Sequence, residues 1–263
     1  MPTAEGKPIW FELNAADQDA AQAFYEAVVG WRVAPSPMPE HGGYRIAEAD
    51  GKAVAGIRRS MPQAPGFPGW AAYLATRNVD VTAARVVDLG GRIRFGPVDI
   101  PHVGRFAMVS DPQDVVFALM DATSPDESRA FGPVPLGTEQ TLGHGVWIEL
   151  ATPDPEAAFA FYGALFGWEK LGAMPMGGMG EYAFIGRDEL RPGAVMSSTA
   201  TGAPARWIWY VHVADIDAAL AMVREGGGTV LQGPDPIPGG SYSANITDPA
   251  GNRLGLAGSR QAA

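Results

Sequence analysis

The sequence predicts an α+β fold made of four strand–helix–strands modules, paired two by two in a tandem duplication. The main observation is a self-match at an offset of 137 residues. Trp10–Trp31 (WFELNAADQDAAQAFYEAVVGW) overlies Trp147–Trp168 (WIELATPDPEAAFAFYGALFGW), identical at 12 of 22 positions without a gap. The same offset carries Trp70 onto Trp207, Tyr73 onto Tyr210, Gly96-Pro97 onto Gly233-Pro234 and Asp111-Pro112 onto Asp248-Pro249. A period this long marks a duplicated domain, since solenoid repeats run to about 20–50 residues. Domains 1–121 and 143–263 are therefore expected to flank a linker, 122–142, which is rich in Pro, Gly, Ser and Thr and has no hydrophobic periodicity.

Within each half the order of elements follows from periodicity and punctuation. Residues 8–14 alternate as a strand, with Phe11 and Leu13 on one face and Trp10, Glu12 and Asn14 on the other. Asp17 reads as a helix N-cap; in the second copy Asp154-Pro155 supplies both a cap and a proline at the first helical position. Ala20, Phe24 and Val28 fall four apart on one helical face, and Gly30 is the expected stop. Tyr44–Ala49 and Lys52–Arg58 form a hairpin around Asp50-Gly51. A second module opens with a strand at Trp70–Thr76 and a helix at about Val79–Leu89, closed by Gly90-Gly91. It ends after the Asp111-Pro112 turn in a strand at Val115–Met120, and copy two repeats it from Trp207 to Leu256.

Composition narrows the function classes. A net charge of −10 without a basic cluster disfavours nucleic acid and anionic membrane surfaces, and favours a cationic or neutral ligand. The absence of cysteine removes disulfides, thiolate metal sites and a cysteine nucleophile. No secretory signal and no run of about 18 apolar residues is visible, so the expectation is a cytoplasmic enzyme or binding protein, with a homodimer left open.

In this order, the AFYEAVVGW and AFYGALFGW helices, the GGRIRFGP and GGGTVLQGP turns, and the SDPQDVVFAL and TDPAGNRLGL endings resemble the vicinal oxygen chelate superfamily of glyoxalase I, bleomycin-resistance proteins and extradiol dioxygenases. The stretch DIPHVGRFAMVSDPQ is similar to a two-domain glyoxalase-like antigen of mycobacteria. The resemblance implies βαβββ modules that pair into two cup-shaped glyoxalase-like domains, with a small ligand or a metal inside each cup.

Metal-dependent members carry a His or Gln seven residues before the Asp that precedes the helix, and a Glu on the closing strand. Those positions here are Trp10, Trp147, Ala71, Ile208, Ala118 and Gly255, none of which can ligate a metal. The nearby alternatives Ile57 and Met196 also fail. The expectation is accordingly no cofactor and no metal.

Strand alternation turns Trp10, Glu12 and Asn14 into the first cup with Tyr73, and Trp147 and Glu149 into the second with Tyr210 and His212. This suits an aromatic-lined pocket with one carboxylate, whose pKa burial would raise. Arg105, in PHVGRF, is a candidate anion holder. Glu149 as base and His212 as acid would be the catalytic pair of a metal-independent lyase, isomerase or hydroxylase-like enzyme. Sequestration without chemistry is the other reading. A metal-dependent lyase or dioxygenase-type enzyme with relocated ligands such as Glu149 and His212 is the alternative. Leu171–Gly180 (LGAMPMGGMG) reads as a mobile apolar lip, and Ala34–Gly43 as its stiffer counterpart. His41 and His144 receive no role.

Overall fold

A computed structural model of the chain describes residues 5–60, 69–123, 128–132 and 141–260. The first module contains β1 (Pro8–Ala15), α1 (Gln18–Val29), β2 (Arg32–Pro35), β3 (Arg45–Ala49) and β4 (Lys52–Arg59). The second contains β5 (Gly69–Ala75), α2 (Val79–Asp88), β6 (Arg92–Ile100), β7 (Gly104–Ser110) and β8 (Val116–Ala122). The third runs through β9 (Gly145–Thr152), α3 (Pro155–Phe166), β10 (Glu169–Pro175), β11 (Glu181–Arg187), β12 (Leu190–Ser197) and the single turn α4 (Ser198–Thr201). The fourth has β13 (Arg206–Val213), α5 (Ile216–Glu225), β14 (Thr229–Pro236), β15 (Tyr242–Thr247) and β16 (Arg253–Gly258). The strands form two eight-stranded mixed sheets, ordered β2-β3-β4-β1-β5-β8-β7-β6 and β10-β11-β12-β9-β13-β16-β15-β14. This is the α+β architecture of four modules that the repeat predicts.

The local signals act as expected at the helix ends. Asp17 accepts from the backbone N–H groups of Asp19 and Ala20, and Asp154 from that of Ala157, each cap contributing about 1 kcal/mol. Gly30 and Gly167 close α1 and α3 in the left-handed conformation, at φ 81° and 73°. Asp50 (φ 47°) and Gly51 (φ 64°) make the two-residue turn between β3 and β4. The buried face of α1 is Gln18, Ala21, Phe24, Tyr25 and Val28. Ala20 is exposed, because at 3.6 residues per turn a strict spacing of four drifts off the stripe.

At the sheet edges, β2 buries only Val33 and β10 buries no residue. Leu171–Pro175 is thus part of a strand paired with β11 rather than a loop, and Gly177–Met179 is a single 3₁₀ turn. The described parts of the 122–142 linker segment are also ordered. Phe131 bridges to Gly145, Gly132 N–H donates to Gly145 O, and Ala130 and Phe131 are buried. Among the described residues no helix is long and apolar enough to cross a membrane.

Compact packing does not follow the halves of the repeat. One unit comprises Met1–Ile9, Ala71–Glu127 and Ile148–Trp207, and the other Trp10–Trp70, Ser128–Trp147 and Ile208–Ala263. Each takes its helices from both halves: α2 and α3 pack in the first, α1 and α5 in the second.

The core of the second unit is aromatic. Trp209 stacks on Phe11 with ring centroids 3.8 Å apart, and lies 6.0 Å from Trp31 and 5.0 Å from Trp70. Tyr25 Oη donates to Asp248 Oδ2 (3.1 Å) and accepts from Trp70 Nε1 (2.9 Å). The first unit repeats this with Tyr162, Asp111 (3.2 Å) and Trp207 (3.1 Å). Burial, reinforced by the neighbouring carboxylate charge, pushes both phenols well above their ordinary value. They therefore remain neutral donors.

Candidate functional site

The first-half face is built on β1, β3 and β4 within the second unit. Gln18, 3% exposed on α1, donates to Gly43 O (3.1 Å) and Ile57 O (2.9 Å). Arg45 reaches back to Gln22 Oε1 (2.7 Å) and to Asp19. These ties fix the path of the chain into β3 and so place Tyr44. Its hydroxyl covers Gly56, where an added Cβ would stand 1.7 Å from the oxygen; only glycine leaves room for the phenol.

Tyr44 Oη accepts from Trp10 Nε1 at 2.8 Å and bonds to the carboxylate of Glu12. A hydroxyl both accepts and donates, so indole, phenol and carboxylate form one directed chain. Burial, then the charge of Glu12, pushes the Tyr44 hydroxyl well above its usual value. Glu12 is buried and Asn14 half-buried, and Asn14 is level with Arg58 of β4.

In the second half Glu149, also buried, is level with Ala194 of β12. Tyr182 is level with Met196 and its ring meets Phe184 edge-on at 5.9 Å. Tyr210, in the second unit, lies across Gly255, where a Cβ would stand 2.3 Å from its ring. Its hydroxyl donates to Asn245 Oδ1 (3.3 Å), and it packs with Val146, Ile208, Ala257 and the partly buried Trp147. Tyr73, in the first unit, is buried opposite Ala118 with its ring 6.0 Å from Phe106.

Two of the expected roles change. Arg105 is not free to clamp an anion: it takes Asp80 through two bonds (2.8 and 2.9 Å) and Asp99 through a third (2.9 Å). These partners raise its pKa further, and they tie α2 to the β6–β7 hairpin. His212 is buried, with Nδ1 2.7 Å from Thr141 Oγ1 and its backbone paired to Gly143 and His144. Desolvation lowers its pKa despite the Thr141 contact, which favours the charged form. The neutral imidazole can accept a proton but is a poor acid. Glu149 belongs to the first unit and His212 to the second.

Because the folded pKa of His212 lies below the unfolded value of about 6.5, the unfolded chain binds more protons in the window beneath it. Stability is expected to fall as pH drops below about 6.5, with a slope reaching about 1.4 kcal/mol per pH unit. Urea denaturation at pH 7, 6 and 5 should show a shallower loss for His212→Gln; identical slopes would reject the assignment.

The residues present do not fit the metal of the resembling enzymes. The opening-strand positions hold Trp10, Trp147, Ala71 and Ile208. Ala118 is fully buried against β5, and the Tyr210 ring fills the space a side chain at 255 would need. Among the described residues no three His, Cys, Asp or Glu side chains are grouped to hold an ion.

This architecture and these motifs define a class. The profile of the Glyoxalase/Bleomycin resistance protein/Dioxygenase superfamily matches residues 144–256, and that of a bleomycin resistance protein-like N-terminal region matches 7–43. The chain is 30% identical to the anthracycline biosynthesis protein DauV of Streptomyces sp. (strain C5), across 98% of this chain and 95% of that one. It therefore belongs to the glyoxalase/bleomycin resistance/dioxygenase superfamily. It is also 40% identical to the protein CFP32 of Mycobacterium tuberculosis (strain CDC 1551 / Oshkosh) over 44% of each chain. Among solved structures, the Mn(II)-bound glyoxalase of Novosphingobium aromaticivorans shares the fold, with a TM-score of 0.64 at 16% identity over 98% of this chain and 83% of that one.

Proposed function

We propose that this protein binds a small, planar organic ligand against the aromatic and carboxylate-bearing faces of its sheets, without a metal, and either sequesters it or assists simple acid–base chemistry. The observation that carries the reading is the Trp10–Tyr44–Glu12 chain, in which a neutral phenol links an indole to a buried carboxylate. Sites of this kind bind through ring contact and orient the ligand through few polar groups. In the second unit the proposed contacts are Trp10, Glu12 and Asn14 from the first half and Trp147, Tyr210 and His212 from the second; in the first unit they are Tyr73 and Glu149. Arg105 is left out because its guanidinium is already occupied. If chemistry occurs, the candidate proton acceptor of the first unit is Glu149, and that of the second unit is the neutral His212. The relationship to a protein named for anthracycline biosynthesis supports a fused-ring aromatic ligand.

The test uses the full chain with 1,8-dihydroxyanthraquinone as probe, followed by tryptophan fluorescence. Glu12→Gln and Glu149→Gln are each expected to weaken binding roughly tenfold, the scale of a lost charge-assisted hydrogen bond. Unchanged affinity in both variants would reject the carboxylate role. Protein purified without chelator is expected to contain less than stoichiometric Zn, Ni or Fe; one equivalent per site would overturn the metal-free reading. Where a substrate is turned over, loss of turnover with retained binding in Glu149→Gln would rule out sequestration alone.

A further inference from the structure

Strand register aligns the two halves more finely than the sequence offset does. Glu12 is level with Gly56 and Asn14 with Arg58; in the second half Glu149 is level with Ala194 and Ala151 with Met196. Tyr44 precedes Arg45, which is level with Ile57, so Tyr44 stands at the level of Arg58; Tyr182 likewise stands at the level of Met196. The two faces therefore share Trp, Glu and Tyr at equivalent positions. They differ where the first has Asn14 and Arg58 and the second has Ala151 and Met196.

Arg58 is on the same face as Gly56, two residues along β4. Strand register puts it on the face of the Tyr44 cluster, and its charge is the weakest of the influences on the hydroxyl that covers Gly56. It is half-buried, and the ion pairs among the described residues do not include it. Two residues of strand rise and one interstrand spacing separate the backbones of Glu12 and Arg58, on the order of 8 Å. One bicyclic ring can present a group to each.

We propose that the first-half face selects a hydroxylated aromatic carboxylate: Glu12 accepts the ligand hydroxyl, Arg58 holds the carboxylate, and Trp10 and Tyr44 contact the ring. The second-half face, with Met196 in place of Arg58, takes the aromatic body without the carboxylate. Guanidinium matches a carboxylate in a fork that lysine and methionine cannot reproduce. The overall charge of −10 does not oppose this, because distant surface charges are screened beyond about 8 Å at physiological salt while a half-buried contact is not. The inference rests on the ligand-binding reading above and assigns its specificity.

The experiment measures binding of 6-hydroxy-2-naphthoate, 2-naphthoate and 2-naphthol to the full chain by calorimetry, with circular dichroism as a check on folding. The hydroxynaphthoate is expected to bind roughly tenfold or more tightly than either single-group probe. Arg58→Met is expected to abolish its advantage over 2-naphthol while leaving 2-naphthol within about twofold, and Arg58→Lys to retain part of it. Met196→Arg is expected to create the same preference at a second equivalent. Equal affinity for hydroxynaphthoate and 2-naphthol in the native chain, or a preference that survives Arg58→Met, would overturn the selectivity and leave the ligand-binding reading standing. Failure of all three probes together with the dihydroxyanthraquinone would remove both. Failure of the naphthyl probes alone would remove only the selectivity.

Discussion

Replacing Trp209 by alanine is expected to lower the unfolding free energy by about 3–5 kcal/mol, the range for truncating a buried aromatic side chain. Trp209 is 2% exposed and lies against Phe11, Trp31 and Trp70, so three aromatic rings lose a neighbour at once. Its indole N–H has no hydrogen-bond partner among the described residues, so the loss is one of packing alone. The cavity is walled by large, stiff rings that cannot collapse into it, which places the cost toward the upper end. Urea denaturation with a shared m-value is the measurement. A loss under about 1 kcal/mol would mean that the stack contributes little.

Asp248→Ala is expected to cost about 3 kcal/mol, well beyond the removal of one contact. Its Oδ1 accepts from the backbone of Ala250 and Asn252, and its Oδ2 from Tyr25 Oη and Asn252 Nδ2. Removing the carboxylate leaves these donors unpaired in or near the core, and such donors cost more than the bond gained. Tyr25→Phe removes the donor to Asp248 and the acceptor for Trp70 Nε1, and is expected to cost about 2 kcal/mol. The double variant should fall short of the sum of the two, because the shared bond can be lost only once. Additive losses would show that Tyr25 and Asp248 are not coupled. Asp111 and Tyr162 are expected to behave alike in the first unit.

Much of this was legible in the chain. The repeat, the caps at Asp17 and Asp154, the Asp50-Gly51 turn and the split of Phe11 and Leu13 from Trp10 and Glu12 are local signals, and local sterics decide them. Tyr44 escaped notice because a fixed offset of 137 carries it onto Glu181, whereas strand register sets it opposite Tyr182. One residue of insertion breaks the comparison and leaves the pleat intact. Arg58 escaped because its partner position holds Met196, and a difference between copies carries meaning only once the register is known. Arg105 looked available because the sequence shows neither Asp80 nor Asp99 beside it. Those contacts depend on how α2 lies on the hairpin.

The repeated Tyr25, Tyr162, Asp111 and Asp248 were visible as repeats but not as partners. Each tyrosine finds its acceptor in the opposite half, a pairing that no periodicity encodes. This reciprocity gives the chain the internal pattern of an isologous dimer, in which residue i of one copy meets residue j of the other and j meets i. Here the two copies share one backbone, so the effective concentration of each half for the other is fixed by the covalent connection and not by the amount of protein. Dilution cannot part them. A fragment ending at residue 121 would keep Tyr25 and Trp70 and lose the carboxylate to which Tyr25 donates. The repeat divides the sequence into two copies, while each compact unit of the fold takes segments from both.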